Sequence, residues 1–173
     1  MTKDRKFYGT NILVDNFVKG LTKTETLDGG WSEKYIDKAT GQEWLKYTVD
    51  PDRGYHFNLM LINPPMTTED IISIMFSSSH MDEVSAAAYK LNLEEQYVHK
   101  EYRQKLIDKL EQIDLTVIDS QESDRIKIII MAGQLLNKIN TRSIVGKHYE
   151  EIESDARFFV DIADRAQAIL NKI

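Results

Sequence analysis

The chain has 173 residues, 42% of them hydrophobic, and a formal net charge of −6 at pH 7, which suits one domain whose core needs no staples, or a small module fused to a larger one. It contains no cysteine, which excludes disulfides, thiolate zinc sites, iron–sulfur clusters and cysteine nucleophiles. The acidic balance argues against nucleic acid as a partner, and with no run of 18 uncharged apolar residues and no signal-like start, a cytoplasmic protein without a membrane span is expected.

In chain order, the first 65 residues carry strand patterns. "FYGTNILV" (7–14) is rich in β-formers, and "GGWSEKYI" (29–36) follows a double glycine suited to a turn. "DKATGQ" (37–42) has Asp37 at the start and Gly41 at the left-handed position of a short hairpin loop. In the next strand Leu45, Tyr47 and Val49 alternate with Trp44, Lys46 and Thr48, which predicts an apolar face made by the first set. "PDRG" (51–54) reads as another turn, and in "YHFNLMLI" (55–62) Tyr55, Phe57, Leu59 and Leu61 share a face opposite His56 and Asn58. Three or four antiparallel strands are expected here.

"NPPM" (63–66) closes the strand pattern, because proline removes ladder donors. From there the spacing is helical. Thr67 with Asp70 has N-cap spacing, Ile71, Ile72, Ile74 and Met75 form a stripe, and the serines at 77–79 end it. Ser79 with Asp82 repeats the cap spacing before Val84, Ala87, Ala88 and Leu91, so two abutting helices are expected to fold back as a hairpin. Helices are predicted again over 100–113, over 123–140 with Gly133 inside at a close crossing, and over 146–173. The expected fold is α+β, a small N-terminal antiparallel sheet (1–65) packed on a C-terminal array of about five helices (66–173).

Residues 1–65 hold nine basic and nine acidic side chains, and residues 66–173 hold thirteen and nineteen, so the sequence places the whole charge excess on the helical part. Such a surface steers a basic protein partner, or is simply solvated. Glu94, Glu95, Glu150, Glu151 and Glu153 lie in the densest acidic runs and are the expected contacts for a basic partner. Trp31 and Trp44 are the expected aromatic anchors if they stand outside the core, which is the commoner place for such residues. In "VHKEYRQK" (98–105) the spacing pairs Glu101 with Lys105.

No chemical signature names a reaction. His148 and Glu151 have metal-compatible spacing, but the second histidine of a zinc helix is missing, so no metal is expected. "DGGW" lacks the Lys-Ser/Thr of a phosphate loop, and the serines at 77–79 have no His and Asp at motif spacing. An enzyme would have to use His56 or His148 with acidic neighbours at the junction of sheet and helices.

Two resemblances add to this reading. The hairpin at 69–92, with Asp82, Val84, Ala87, Ala88 and Leu91 after the turn, resembles one unit of a HEAT-type repeat, and 106–113 with 124–136 resembles a second unit. Such units stack into protein-binding scaffolds, so this resemblance implies a binding surface and no cofactor. "GGWSEKYIDKATGQEWLKY" followed by "PPMTTEDIISIMFSSSHMDEVSAAAYKL" is similar to bacterial immunity proteins. That resemblance implies a non-enzymatic protein that binds and blocks one cognate toxin, which the acidic helices would suit if it is basic, and it assigns no contact residue.

Overall fold

The computed structural model describes residues 5–49 and 56–173; the turn expected at 51–54 and Tyr55 lie outside them. The fold is α+β, and the chain divides into two compact units, residues 1–87 and 88–173. The division falls 22 residues beyond the change from strand to helix spacing at 65.

In the first unit, β1 (Phe7–Tyr8), β2 (Thr22–Leu27), β3 (Ser32–Ile36), β4 (Glu43–Thr48) and β5 (Phe57–Asn63) form one antiparallel sheet in the order β1-β5-β4-β3-β2. Loop chemistry sets the β3–β4 register. Gly41 stands at φ 73°, and the Asp37 carboxylate accepts from the Ala39 N–H and the Thr40 hydroxyl, which ties the turn before Ile36 pairs with Glu43.

Two elements depart from the sequence expectation. "NILV" is not the end of a strand: Asn11–Val18 is the helix α1. Its Val14, Phe17 and Val18, with Leu21 beyond, recur at helical spacing and pack on Tyr8, Tyr35, Trp44, Leu59 and Leu61 of the sheet. "TKTETL" is the edge strand β2, exposed on nearly its whole length, so it carried no apolar alternation to read. Edge strands without an apolar face resist pairing with other chains.

The inner face of β4 is corrected as well. Trp44, with 2% exposure, is the deepest side chain of the strand and lies in the core under α1. Lys46, on the same face, reaches Asp15 of α1 at 3.1 Å and lies over the Phe57 ring. Tyr47 is buried on the opposite face, where its hydroxyl meets buried Asn58 at 3.5 Å. Both faces are therefore covered at the centre of the sheet, and simple alternation fails there. Phe57, Leu59 and Leu61 do share the α1 face, as their spacing predicts.

Helix α2 (Thr68–Ser77) begins with the expected capping box between Thr67 and Asp70 and stops at Ser78. Helix α3 runs over Met81–Val98, so the division between the units lies within it. Ser79 does not cap it. The Ser78 hydroxyl instead accepts from the His80 N–H and donates to Glu83 at 2.8 Å. The first turn of α3 is then used against β1: Glu83 accepts from the Lys6 and Phe7 N–H groups, and Asp82 accepts from Gly9 and pairs with Arg5. A Cβ on Gly9 would stand 2.4 Å from the Asp82 carbonyl oxygen, so only glycine admits this approach.

In the second unit, α4 (Arg103–Glu111), α5 (Ser120–Ala132) and α6 (Tyr149–Leu170) follow the end of α3. With α1, that makes six helices among the described residues. Tyr102, Leu106 and Leu110 are buried as their spacing predicts, and α4 lies against α6. Gly133 ends α5 instead of sitting inside it, and Asp119 supplies the cap, so the helix starts three residues before the expected 123. The buried Tyr102 hydroxyl donates to the Gly133 carbonyl, and Leu106 lies 3.6 Å from where a Gly133 Cβ would be. The crossing expected at this glycine is therefore a contact with α4. No helix among the described residues is long and apolar enough to cross a membrane.

Candidate functional site

The densest chemistry of the second unit starts where α3 ends. His99 takes φ 58° and the Lys100 N–H donates to the Glu94 carbonyl at 3.2 Å, so the chain reverses and brings Arg103 beneath the helix it has just left. Arg103 is fully buried. Its Nε donates to Glu95 at 2.6 Å and its Nη1 to the Gln134 carbonyl at 2.7 Å, while the guanidinium lies 4.4 Å over the Phe159 ring.

A second arginine completes the cluster. Arg142 comes from the segment between α5 and α6 and stacks on Phe158 at 4.5 Å. It binds Asp155 at 2.9 Å, bonds to Glu101 and reaches Glu95 at 3.5 Å. Lys147 holds the other Asp155 oxygen. Burial pushes the Asp155 carboxyl up, but the hydrogen bonds from Lys147 and Arg142 outweigh it and hold the group below the usual carboxylate range. Burial likewise pushes the Tyr102 hydroxyl up.

Three carboxylates (Glu95, Glu101, Asp155) thus face three cations (Arg103, Arg142, Lys147). The cluster borders an open cavity of 380 Å³ whose wall includes His99, Ser143 and Val145. Both carboxylates on that wall, Glu95 and Glu101, are engaged by guanidinium groups, so His99 meets no free base there. The arrangement locks the segment 139–148 onto α3 and α6. Arg142 was not singled out from the sequence; its partners lie 13, 41 and 47 residues away, beyond any local spacing rule.

The residues that flank this lock in the chain include large exposed apolar side chains. Tyr97 and Val98, next to His99, are 77% and 59% exposed; Ile144 and Val145, next to Arg142 and Ser143, are 59% and 88% exposed; Tyr149 is 74% exposed. Large apolar side chains gathered at one place on a surface mark interaction sites more than scattered ones do.

The residues expected to meet a partner are divided by the structure. Glu94 and Glu95 are not surface carboxylates: they are 8% and 1% exposed, Glu94 between Lys90 and Lys100 and Glu95 between the two arginines. Each has positive partners inside its own unit, which is why burial is tolerated. Glu101 pairs with Arg142. Glu150, Glu151 and Glu153 remain exposed on the first turns of α6 beside Tyr149. Glu151 accepts from the His148 N–H, which caps the helix and gives their spacing its use, and Glu153 pairs with Arg157. Trp44 is a core residue, and Trp31 is 48% exposed. His56 is exposed and His148 precedes α6, so neither histidine lines the cavity.

In the first unit Ser78, His80, Glu83 and Arg5 surround a cavity of 310 Å³. The Ser78 hydroxyl closes the α2–α3 turn through Glu83, which accounts for the serine without a nucleophilic role. No group of three His, Cys, Asp or Glu residues that could hold a metal occurs among the described residues.

Comparison of the chain with protein-family models, with curated proteins and with solved structures finds no match.

Proposed function

We propose that the protein is a non-enzymatic binding protein that takes one protein partner on the surface formed by 97–99 and 142–149. One observation carries this reading: Tyr97, Val98, Ile144, Val145 and Tyr149 stand in solvent beside an ionic lock that fixes the segment bearing Ile144 and Val145 between the helices bearing the other three. A loop held in place before binding loses little further freedom when it binds, so exposed apolar side chains upon it convert efficiently into affinity. The exposed carboxylates Glu150 and Glu153 beside Tyr149 suit a partner with a basic rim. Following the resemblance to bacterial immunity proteins, the most specific form of the reading is neutralisation of a cognate toxin.

The test uses the full chain as bait against secreted fractions of its source organism and against the product of the neighbouring gene. A stoichiometric partner whose toxicity disappears in the complex is expected. Val145→Asp should weaken that complex by about 100-fold, as truncation of a central contact does, while Met131→Asp, an exposed change on α5, should leave it intact. A partner retained equally by both variants sinks the proposed surface, and a protein that turns over a substrate without any partner sinks the binding reading.

A further inference from the structure

The α1 face of the sheet does not close completely. A cavity of 480 Å³ opens between α1, the turn at Gly20 and Leu21 that follows it, and the β3–β4 turn at Asp37–Gln42. Its wall is aromatic: Phe17 stands 4.5 Å from Tyr8 and 4.7 Å, edge-on, from Trp44, and the Arg5 guanidinium lies 4.4 Å over Tyr8. Two of these residues carry donors that the described residues leave unused. Among the described residues, Trp44 is 98% buried and its Nε1 has no acceptor, and Arg5, 92% buried, leaves its Nε without a hydrogen bond, the nearest Glu83 oxygen being 3.8 Å away.

We propose that this cavity binds a small molecule, specifically a neutral, planar aromatic or heteroaromatic compound bearing a carbonyl acceptor. This goes beyond the protein-binding reading and does not depend on it. The volume and the mostly apolar lining suit a small ligand, and flat rings meet the Tyr8, Phe17 and Trp44 rings in the offset and edge-on contacts that aromatic pairs prefer. Unused N–H donors require an acceptor on the ligand. Charge decides against an anion: Arg5 is already compensated by Asp82 and Glu83, and Asp37 stands on the rim. The indole N–H is shielded, so Phe17, half-buried on α1 and 4.7 Å from the Trp44 ring, would have to turn aside for the acceptor to reach it. Gly20 leaves the mouth open, since a Cβ there would meet only the Phe17 carbonyl oxygen, at 3.6 Å.

The chain has two tryptophans, so the full-length ¹⁵N-labelled protein shows two indole signals, and Trp31→Phe identifies that of Trp44. Titration with 2-naphthamide should move the Trp44 indole proton downfield to saturation, as a new hydrogen bond does. The anion 2-naphthoate should bind at least about ten-fold more weakly, consistent with an uncompensated charge in a buried site. Gly20→Phe should abolish the amide's effect while the rest of the spectrum stays native. Trp44→Phe, which keeps a ring and removes the donor, should weaken binding by about ten-fold. The proposal is overturned by an indole signal that the amide leaves unmoved, by naphthoate binding as tightly as the amide, or by full binding in Gly20→Phe. An indole signal that only a protein partner moves also overturns it, making the cavity a pocket for that partner's side chain.

Discussion

Glu95 shows how far a single side chain can depart from its local context. In the sequence it is the second of two adjacent glutamates near a helix end, the composition of a solvated face. In the fold it is 1% exposed, because Arg103 arrives eight residues later through the reversal at His99 and Arg142 arrives from 47 residues away. Breaking a buried pair costs about 3–5 kcal/mol, since the surviving charge is stranded. Glu95→Ala should therefore lower unfolding free energy by about that much in urea titrations, whereas Glu150→Ala, on the exposed start of α6, should change it by about 0.5 kcal/mol or less. The double change Glu95→Leu with Arg103→Met should recover part of the loss, because an apolar pair of similar volume strands no charge there and leaves the Gln134 carbonyl without its donor. If the single change alone leaves the midpoint where it was, the pair has no structural role. Replacing Glu94 and Glu95 by Lys is, for the same reason, a test of folding and not of partner steering.

At the scale of elements, the chemistry that ends and joins segments was legible and their partners were not. The capping box of α2, the stop at the serines and the left-handed Gly41 follow from residues within three or four positions of one another. The α1 helix was hidden because Ile12, Leu13 and Val14 form a β-like run; Val14, Phe17, Val18 and Leu21 carry the helical period that the run masks. Strand β2 had no apolar face to reveal, and α3 reads as short until its second half is seen to be buried. The docking of β1 on α3 depends on contacts across 73–77 residues, so no window of sequence contains it. Its weak point is Gly9. Gly9→Val would drive a side chain into the Asp82 carbonyl and should cost about 1–3 kcal/mol through strain, with faster hydrogen exchange at the Leu61 amide, which donates to Lys6 across β1 and β5. Gly20→Ala, whose Cβ would make only an ordinary contact of 3.6 Å with the Phe17 carbonyl oxygen, is the control. Equal stability of the two variants would mean that β1 is not held by this approach.

For the whole molecule, the charge excess of the helical region is shared between the two units, because α2 and the first turn of α3 belong to the first. The unit at 1–87 has nine basic and thirteen acidic residues, and that at 88–173 has thirteen and fifteen. Much of the acidity of 88–173 is spent on its own arginines and lysines, among them Arg142 and Arg165, the latter holding Asp108 and Glu111 together. What joins the two units along the chain is α3, whose first turn anchors β1 and whose last turn presents Glu95. A helix that contributes buried side chains to both units couples their stabilities, because melting either one removes the support of a shared segment. Tryptophan fluorescence reports only on 1–87, which holds both tryptophans, while far-ultraviolet circular dichroism also follows α4, α5 and α6. The two signals should fall together on heating, as in a single cooperative transition. Ala88→Pro, in the buried middle of α3, removes a helical hydrogen bond at a cost of about 3 kcal/mol or more and should separate the two curves. Curves already separated in the unsubstituted protein would show that α3 does not couple the units, and binding on 97–149 would then be independent of the sheet.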